Sequence, residues 1–301
     1  MYGLENRAML ATLNVTTWSA RKTDKARAAQ IAGDTGAALD AASVSKHLLS
    51  KASLGEVTTA AGNIRALFYH FTLPWNDSGQ RIMPTAMFIE ASQKIGDAIR
   101  DYLDLIDNKF IPAYQDFLAY GYDQQRMGSM HDASDYPSAD KVRSKFTASI
   151  KLLPFPDVAD FRVDLADDMV DHMRNDMQTQ ISSALSASTA DCWERLYDSV
   201  SRMAERLTAY APATRDTKAA GIFRDSIVEN CRELCRIMPS LNVQKDPNLE
   251  SLRQEIERKL CQRDASQLRE SDSERATQAT DAALIARKMS AFMGPTCDQA
   301  A

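Results

Sequence analysis

The sequence lacks the features that would place a protein in or across a membrane. Its 301 residues contain no run of about 18 apolar residues, the length that a transmembrane helix needs. The first residues, MYGLENRAMLATLNV, do not show the basic-then-apolar order of a signal peptide. We therefore expect a cytoplasmic protein that has no membrane partner.

The motifs that mark the common nucleotide-binding, hydrolase and zinc-binding classes are also missing. The sequence has no Walker A motif, no GxGxxG, no GxSxG, no HExxH and no CxxC. Its net charge of −5 provides no general attraction to nucleic acid or to an anionic surface. We predict a protein without a cofactor, and we favour a non-enzymatic protein over an enzyme.

Cysteine is scarce, and its odd number argues against a disulfide framework. The five cysteines are Cys192, Cys231, Cys235, Cys261 and Cys297. Two of them, Cys231 and Cys235, are four residues apart on one face of a predicted helix, but a metal site needs further ligands that the sequence does not identify. We interpret the cysteines as small buried residues on an apolar seam and predict no metal site.

Three short segments alternate apolar and polar residues, which is the pattern of half-buried β-strands. They are residues 13–17, 146–152 and 161–165. The first strand is far from the other two in the sequence, so the pattern predicts a small antiparallel sheet that a long helical hairpin interrupts. The polar, Ala- and Gly-rich residues 21–43 predict a flexible connection or a frayed helix.

The hairpin consists of two helices that proline residues delimit. The first spans residues 53–71 and ends before Pro74, and the second begins at Pro84. Pro112 interrupts the second helix and predicts a kink or a break at residues 108–111. The connection, YHFTLPWNDSGQRIMP, is interpreted either as an aromatic plug that sets the angle of the hairpin or as a stacking surface built on Trp75.

From about residue 166 onward the sequence is wholly helical. One apolar seam steps by three and four residues over two heptads: Trp193, Leu196, Val200, Met203 and Leu207. Both packing inside a bundle and self-association explain a seam of this length. A weaker stripe near the C-terminus, with Leu284, Met289 and Phe292, is expected to dock on a partner.

These patterns together predict a mainly α fold with a small antiparallel β-sheet, of the α+β class. They divide the chain into an α+β domain with an inserted helical hairpin, residues 1–165, and a helical bundle, residues 166–301. We expect the protein to be a homo-oligomer.

A group of aromatic and basic residues suggests contact with single-stranded DNA, because bases stack on aromatic rings and phosphates pair with cations. The group comprises Trp18, Arg21, Lys22, Lys25, Arg65, Trp75 and Arg81. The alternative is that both tryptophans fill the core and that the basic residues are surface charges.

A second candidate site lies on one face of a predicted helix. Asp168, His172 and Asp176 follow each other at four-residue spacing. Two carboxylates and an imidazole on one face suit metal binding or acid–base chemistry, as in a metal-dependent hydrolase. The alternative is a solvated helix face with favourable local pairs.

Five blocks in the first half of the chain carry a resemblance: LNVTTWSARK, KHLLSKASLGE, FTLPWNDSGQRIMP, DYPSADKVRSKF and LPFPDVADFRVDL. They resemble, over residues 13–165, an uncharacterised family of about this length that is carried by tailed phages, prophages and some plasmids. The resemblance implies a non-virion phage protein that acts in the host cytoplasm, and it transfers no catalytic residues. It also implies genes for replication, recombination or an AAA ATPase as neighbours.

Three hypotheses about function follow. The first is a non-enzymatic, self-associating helical protein that supports phage DNA metabolism and contacts single-stranded DNA. The second is a protein-binding adaptor or host-takeover factor whose partner is a phage or host protein, for example an AAA ATPase. The third is a metal-dependent hydrolase.

Overall fold

The protein is mainly helical and divides into two units, each assembled from separate stretches of the chain. The computed structural model describes residues 6–76, 78–119, 124–156, 167–212 and 220–293. We name the two units the bundle unit and the hairpin unit. The bundle unit comprises Met1–Thr12, Phe71–Ile89 and Leu152–Ala301, and the hairpin unit comprises Leu13–His70 and Glu90–Lys151.

In the described residues, six short strands form two sheets. The strands are β1 (Ala8–Thr16), β2 (Arg21–Thr23), β3 (Ser45–His47), β4 (Leu73–Pro74), β5 (Gln80–Pro84) and β6 (Thr147–Pro154). One sheet has the order β4–β5–β1–β6, which confirms the predicted small β-sheet, and β2 pairs with β3 in a separate ribbon. Strand β1 runs antiparallel to β5, with Ala8 opposite Pro84 and Thr12 opposite Gln80.

The strands only partly coincide with the predicted ones. Residues 13–17 overlap β1 and residues 146–152 overlap β6, whereas residues 161–165 lie outside the described residues. The sequence interpretation missed β4 and β5, which lie inside the connection of residues 69–84. A turn at Gly79, whose φ is 83°, joins them. Residues 1–12 and 71–89 belong to the bundle unit, in which β5 pairs with β1 and β4 packs against the helix that begins at Asp167. The sequence interpretation assigned these residues to the domain of residues 1–165.

The helices before β6 include the predicted hairpin. They are α1 (Lys25–Thr35), α2 (Lys51–Phe71), α3 (Phe88–Leu105), α4 (Ile111–Ala119), α5 (Gln124–Met127) and α6 (Ala139–Arg143). Helix α1 occupies part of the segment expected to be flexible or frayed. It is a capped helix, because the Asp24 carboxylate accepts a hydrogen bond from the Arg27 amide and Gly36 ends the helix with a φ of 68°.

A π-helix, Ile106–Phe110, joins α3 to α4 without a break. It lies where Pro112 predicts a distortion. Proline has no N–H to donate to the carbonyl four residues earlier, and its ring crowds that carbonyl. The wider π turn relieves this crowding, and π turns of this kind are frequent at functional sites.

Five helices follow β6 in the described part of the bundle unit. They are α7 (Asp167–Ala209), α8 (Asp225–Leu241), α9 (Pro247–Leu260), α10 (Ala265–Glu270) and α11 (Asp272–Met293). Helix α7 packs against α8, α9 and α11. The centre of α7, with Leu196, Val200 and Met203, is completely buried. No helix in the described part of the chain is long and apolar enough to cross a membrane.

Candidate functional site

The tryptophan residues predicted to stack on DNA bases are packed against other aromatic rings of the protein. Trp18 is only 8% exposed, and its ring meets that of Tyr114 edge-on at 5.4 Å. Trp75 is half-buried, and its ring meets that of Phe155 edge-on at 5.2 Å. A base needs an open aromatic face on which to stack. The interpretation of Trp18 as a stacking surface is therefore corrected: it is a core residue.

Two of the predicted DNA-binding arginines bind the backbone of their own unit. The Arg81 guanidinium donates to the Thr72 hydroxyl at 2.8 Å and to the Thr72 carbonyl at 3.1 Å. The Arg65 guanidinium donates to the Val15 carbonyl at 3.0 Å. These bonds give both side chains a structural role, and the two arginines belong to different units.

The other three predicted cations, Arg21, Lys22 and Lys25, are exposed on β2 and at the start of α1. Across the ribbon Lys22 lies opposite Lys46 of β3. Lys46 forms ion pairs with Asp135 and, at 3.7 Å, with Asp24. The hydrogen bond to Asp135 raises the pKa of Lys46. Acidic residues therefore offset part of the positive charge on this ribbon.

The apolar seam predicted for self-association is buried within the chain. Its members, Trp193, Leu196, Val200, Met203 and Leu207, are at most 7% exposed. Helix α11 covers this part of α7, with Met289 fully buried and Phe292 stacked on Trp193 at 5.3 Å. Leu284 and Phe292 keep about half of their surface exposed, at 49% and 58%. The seam thus packs inside the bundle unit, and only these two side chains of the predicted partner surface are accessible.

The proposed acid–base face of α7 offers few contacts. His172 Nε2 lies 3.8 Å from Asp176 Oδ2, and both side chains are largely exposed. The side chain of Asp168 lies outside the described residues. It has the geometry of an exposed local pair on a solvated helix.

The hairpin unit contains a groove with a volume of about 330 Å³, which we name the hairpin groove. One wall comes from α2 and the turn before it, and the other comes from the end of α3, the π-helix and α4. The lining residues are Leu49, Ala52, Ser53, Glu56 and Val57 on the first wall and Leu105, Lys109, Phe110, Ala113, Tyr114 and Phe117 on the second. Neither wall was identified as a site from the sequence, although the proline-induced distortion was a signal for one of them.

Buried aromatic residues hold the floor of the hairpin groove, and charged residues lie on it. Tyr114 is 2% exposed, and its hydroxyl donates to the Pro137 carbonyl at 2.8 Å. The Phe110 ring packs edge-on against Phe146 at 5.2 Å. Lys109 bridges the two walls through an exposed ion pair with Glu56, at 2.6 Å. The groove therefore combines a fixed apolar floor with two charges that solvent reaches.

A second groove, of about 290 Å³, lies in the bundle unit. Its lining residues are Thr208, Ala279, Thr280, Ala283, Leu284 and Arg287. Leu284 is the single large aliphatic side chain among them. This groove therefore offers less apolar surface to a ligand than the hairpin groove does.

Three buried cysteines meet in the bundle unit. Their sulfur atoms all lie within 4.8 Å of one another, and this is the group that the described residues offer as a metal-ligand cluster. Cys231 and Cys235 are one turn apart on α8, and Cys261 follows the last residue of α9. The neighbouring Cys235 thiol and the hydrogen bond that the Cys261 thiol donates at 3.9 Å lower the pKa of Cys231. The sequence interpretation missed Cys261 because only the α8–α9 packing brings it to the other two.

Comparison with protein-family models, curated proteins and solved structures finds no match to this chain. The resemblance to a phage-borne family therefore stays a prediction. The functional proposals below therefore depend on the geometry of the hairpin groove and of the cysteine cluster.

Proposed function

We propose that the protein is a non-enzymatic adaptor that binds an amphipathic helix of a partner protein in the hairpin groove. The observation that carries this proposal is the apolar lining of the groove: eight of its eleven lining residues are apolar or aromatic. Four of these are buried, Leu105 and Phe117 are half-buried, and Ala52 and Ala113 are exposed. Exposed apolar surface of this kind is unfavourable in water and commonly marks a place where another molecule binds. The partner class that fits the predicted phage origin of the chain is a phage or host protein, such as an AAA ATPase.

The length of the hairpin groove favours a helix as the occupant. The second wall runs from Leu105 to Phe117 along a nearly continuous helix. Twelve residue steps of helix rise about 18 Å, which matches roughly three turns of a docked helix. Partner helices that bind in apolar grooves place side chains at positions i, i+3 or i+4 and i+7 along such a length.

The charged residues on the groove suit the polar flank of a docked helix. Glu56 and Lys109 carry opposite charges and are each more than half exposed. An exposed ion pair of this kind contributes little to stability, so its members can exchange partners at small cost. Each can then pair with an opposite charge on the partner, which would set the direction of the helix.

Two exposed alanines on α4 allow a matched test of the proposal. Ala113 lines the hairpin groove, and Ala119 lies on the same helix outside it. A photo-crosslinking amino acid at position 113 is expected to capture one partner in cells that express the protein, and the same group at position 119 is not. Mass spectrometry identifies the captured segment, which we expect to be an amphipathic helix.

Binding of that segment is then measured by calorimetry with the full chain. Ala113→Trp fills the groove and is expected to weaken binding at least about tenfold, which corresponds to about 1.4 kcal/mol. Ala119→Trp should leave binding unchanged. Equal crosslinking at both positions, or equal binding by both variants, would contradict the proposal.

A nucleic-acid function makes a different prediction for the same proteins. Binding of a single-stranded oligonucleotide through Arg21, Lys22 and Lys25 would weaken steeply with salt. It would also be indifferent to Ala113→Trp, because position 113 lies in the hairpin groove. That combination of results would support the first hypothesis in place of the adaptor.

A further inference from the structure

The three-cysteine cluster has the sulfur spacing of a metal site. Zinc binds cysteine sulfur at about 2.3 Å in a tetrahedral arrangement. Two sulfur ligands of one zinc ion are therefore about 3.8 Å apart, by the geometry of a tetrahedron with that bond length. The Cys231 and Cys261 sulfurs are 3.9 Å apart, and all three sulfurs lie within 4.8 Å of one another. The other two sulfur separations exceed the zinc-site value by at most about 1 Å.

The surroundings of the cluster hold the Cys261 end in place. The Arg232 guanidinium donates to the Cys261 carbonyl at 2.7 Å and to the Arg263 carbonyl at 3.0 Å. It also forms an ion pair with Asp264 at 2.8 Å. Arg232 therefore ties the turn after α9 to α8, the helix that carries the other two cysteines. Supporting contacts of this kind orient the ligands in metal sites.

Simple apolar packing does not account for this arrangement. A seam needs side chains of suitable volume, and Ala, Val or Leu supply that volume without thiols. Here two thiols of α8 and the thiol that follows α9 converge on one point, with their sulfur atoms within 4.8 Å of one another. Thiolates are the ligands that select thiophilic cations such as Zn²⁺ and Cu⁺.

We propose that Cys231, Cys235 and Cys261 bind one zinc ion that stabilises the bundle unit. Three thiolates and Zn²⁺ carry a net charge of −1, whereas three thiolates and Cu⁺ carry −2. A buried site favours the smaller net charge, and Arg232 beside the cluster offsets it. On binding, the three thiols release their protons to solvent. This site lies in the bundle unit and is independent of the proposed function of the hairpin groove.

Metal analysis of the purified full chain tests the site. The protein, expressed with zinc and purified under reducing conditions, is expected to contain about one zinc per chain. Cys261→Ala should weaken zinc binding by more than about 100-fold in competition with a chromophoric chelator, since it removes a ligand directly. Cys192→Ala is the matched control, because Cys192 is buried in the same unit but lies outside the cluster. This variant should keep its zinc.

Cobalt substitution of the unaltered chain gives a second measurement that does not depend on a cysteine variant folding. Co²⁺ in place of Zn²⁺ should give a thiolate-to-metal charge-transfer band of the strength that three sulfur ligands produce. A metal-free chain with native circular dichroism that takes up neither Zn²⁺ nor Co²⁺ would overturn the proposal. Equal zinc loss in Cys192→Ala and Cys261→Ala, or tight binding of Cu⁺ without zinc, would also overturn it.

Discussion

The bundle unit and the hairpin unit use their apolar helix faces differently. In the bundle unit, α11 covers the seam of α7, and Leu196, Val200 and Met203 have no exposed surface. In the hairpin unit, apolar side chains such as Leu105 and Phe117 remain half-exposed along the hairpin groove. The bundle unit buries the apolar face of α7 against its own helices. The hairpin unit leaves part of its apolar surface available to another molecule.

In this protein the regular apolar stripe packs inside the chain, whereas the stripe that the π-helix distorts lines a candidate binding groove. The seam of α7 keeps its spacing over two heptads and is fully buried. The stripe of α3 passes through the π-helix Ile106–Phe110, after which Tyr114 is buried and Ala113 is exposed. The residues that face the core and those that line the groove are therefore neighbours on the helix that follows the distortion.

Matched leucine truncations in the two units are expected to give the largest difference in the free energy of unfolding. Leu196→Ala removes a fully buried side chain and is expected to lower the free energy of unfolding by about 2–5 kcal/mol. Leu105→Ala removes a half-buried side chain of the groove wall and should cost about half as much. Urea unfolding followed by circular dichroism measures both values. A larger loss for Leu105→Ala would mean that the groove wall is a core and not a binding surface.

Acid is expected to lower the free energy of unfolding by a smaller amount, because it weakens the ion pairs that join α9 to α11 in the bundle unit. Glu255 accepts hydrogen bonds from Lys288 at 2.8 Å and pairs with Lys259 at 3.2 Å, and these bonds lower its pKa. The resulting stability is complete above the pKa of an unfolded glutamate, about 4.3, and is lost as the pH falls through the lower pKa of the folded chain.

Glu255→Gln should therefore reduce the free energy of unfolding at neutral pH by about 1 kcal/mol or less. It should also flatten the loss of stability that occurs as the pH falls below the pKa of an unfolded glutamate. Glu229→Gln, an exposed position on α8, serves as the control and should keep the wild-type pH profile. Unfolding curves at a series of pH values measure the effect, and identical profiles for both variants would contradict it.

The smallest effect on stability is expected at the charged pair of the hairpin groove. Lys109→Ala removes an exposed ion pair with Glu56 and should change the free energy of unfolding by no more than about 0.5 kcal/mol. The same change should alter the salt dependence of partner binding, because it removes a charge from the groove. A stability loss comparable to that of Leu196→Ala would remove the distinction between the two units.

The sequence predicted those features that depend on local spacing. The a/d steps from Trp193 to Leu207 predicted a packed helix. In the hairpin unit, Pro112 predicted a distortion of the helix just before it. Both signals depend on residues within a few helical turns of one another, where geometry follows from backbone chemistry. The mainly helical fold with a small sheet was predicted for the same reason.

Other features could not be read from the sequence because distant segments create them. Strands β4 and β5 are too short to show alternation, and β5 owes its place to pairing with β1. Trp18 stands among basic residues in the sequence, yet its ring is buried against Tyr114. Local composition does not indicate which side of a tryptophan another helix covers.

By itself the sequence determined that this chain forms long amphipathic helices with a small sheet, since periodicity and proline positions act over a few residues. Only the tertiary structure decided that Cys261 joins Cys231 and Cys235, and that α2 and α4 leave a groove between them. These outcomes depend on how helix faces pack across dozens of residues, and side-chain volumes at each crossing decide which surface closes and which stays open.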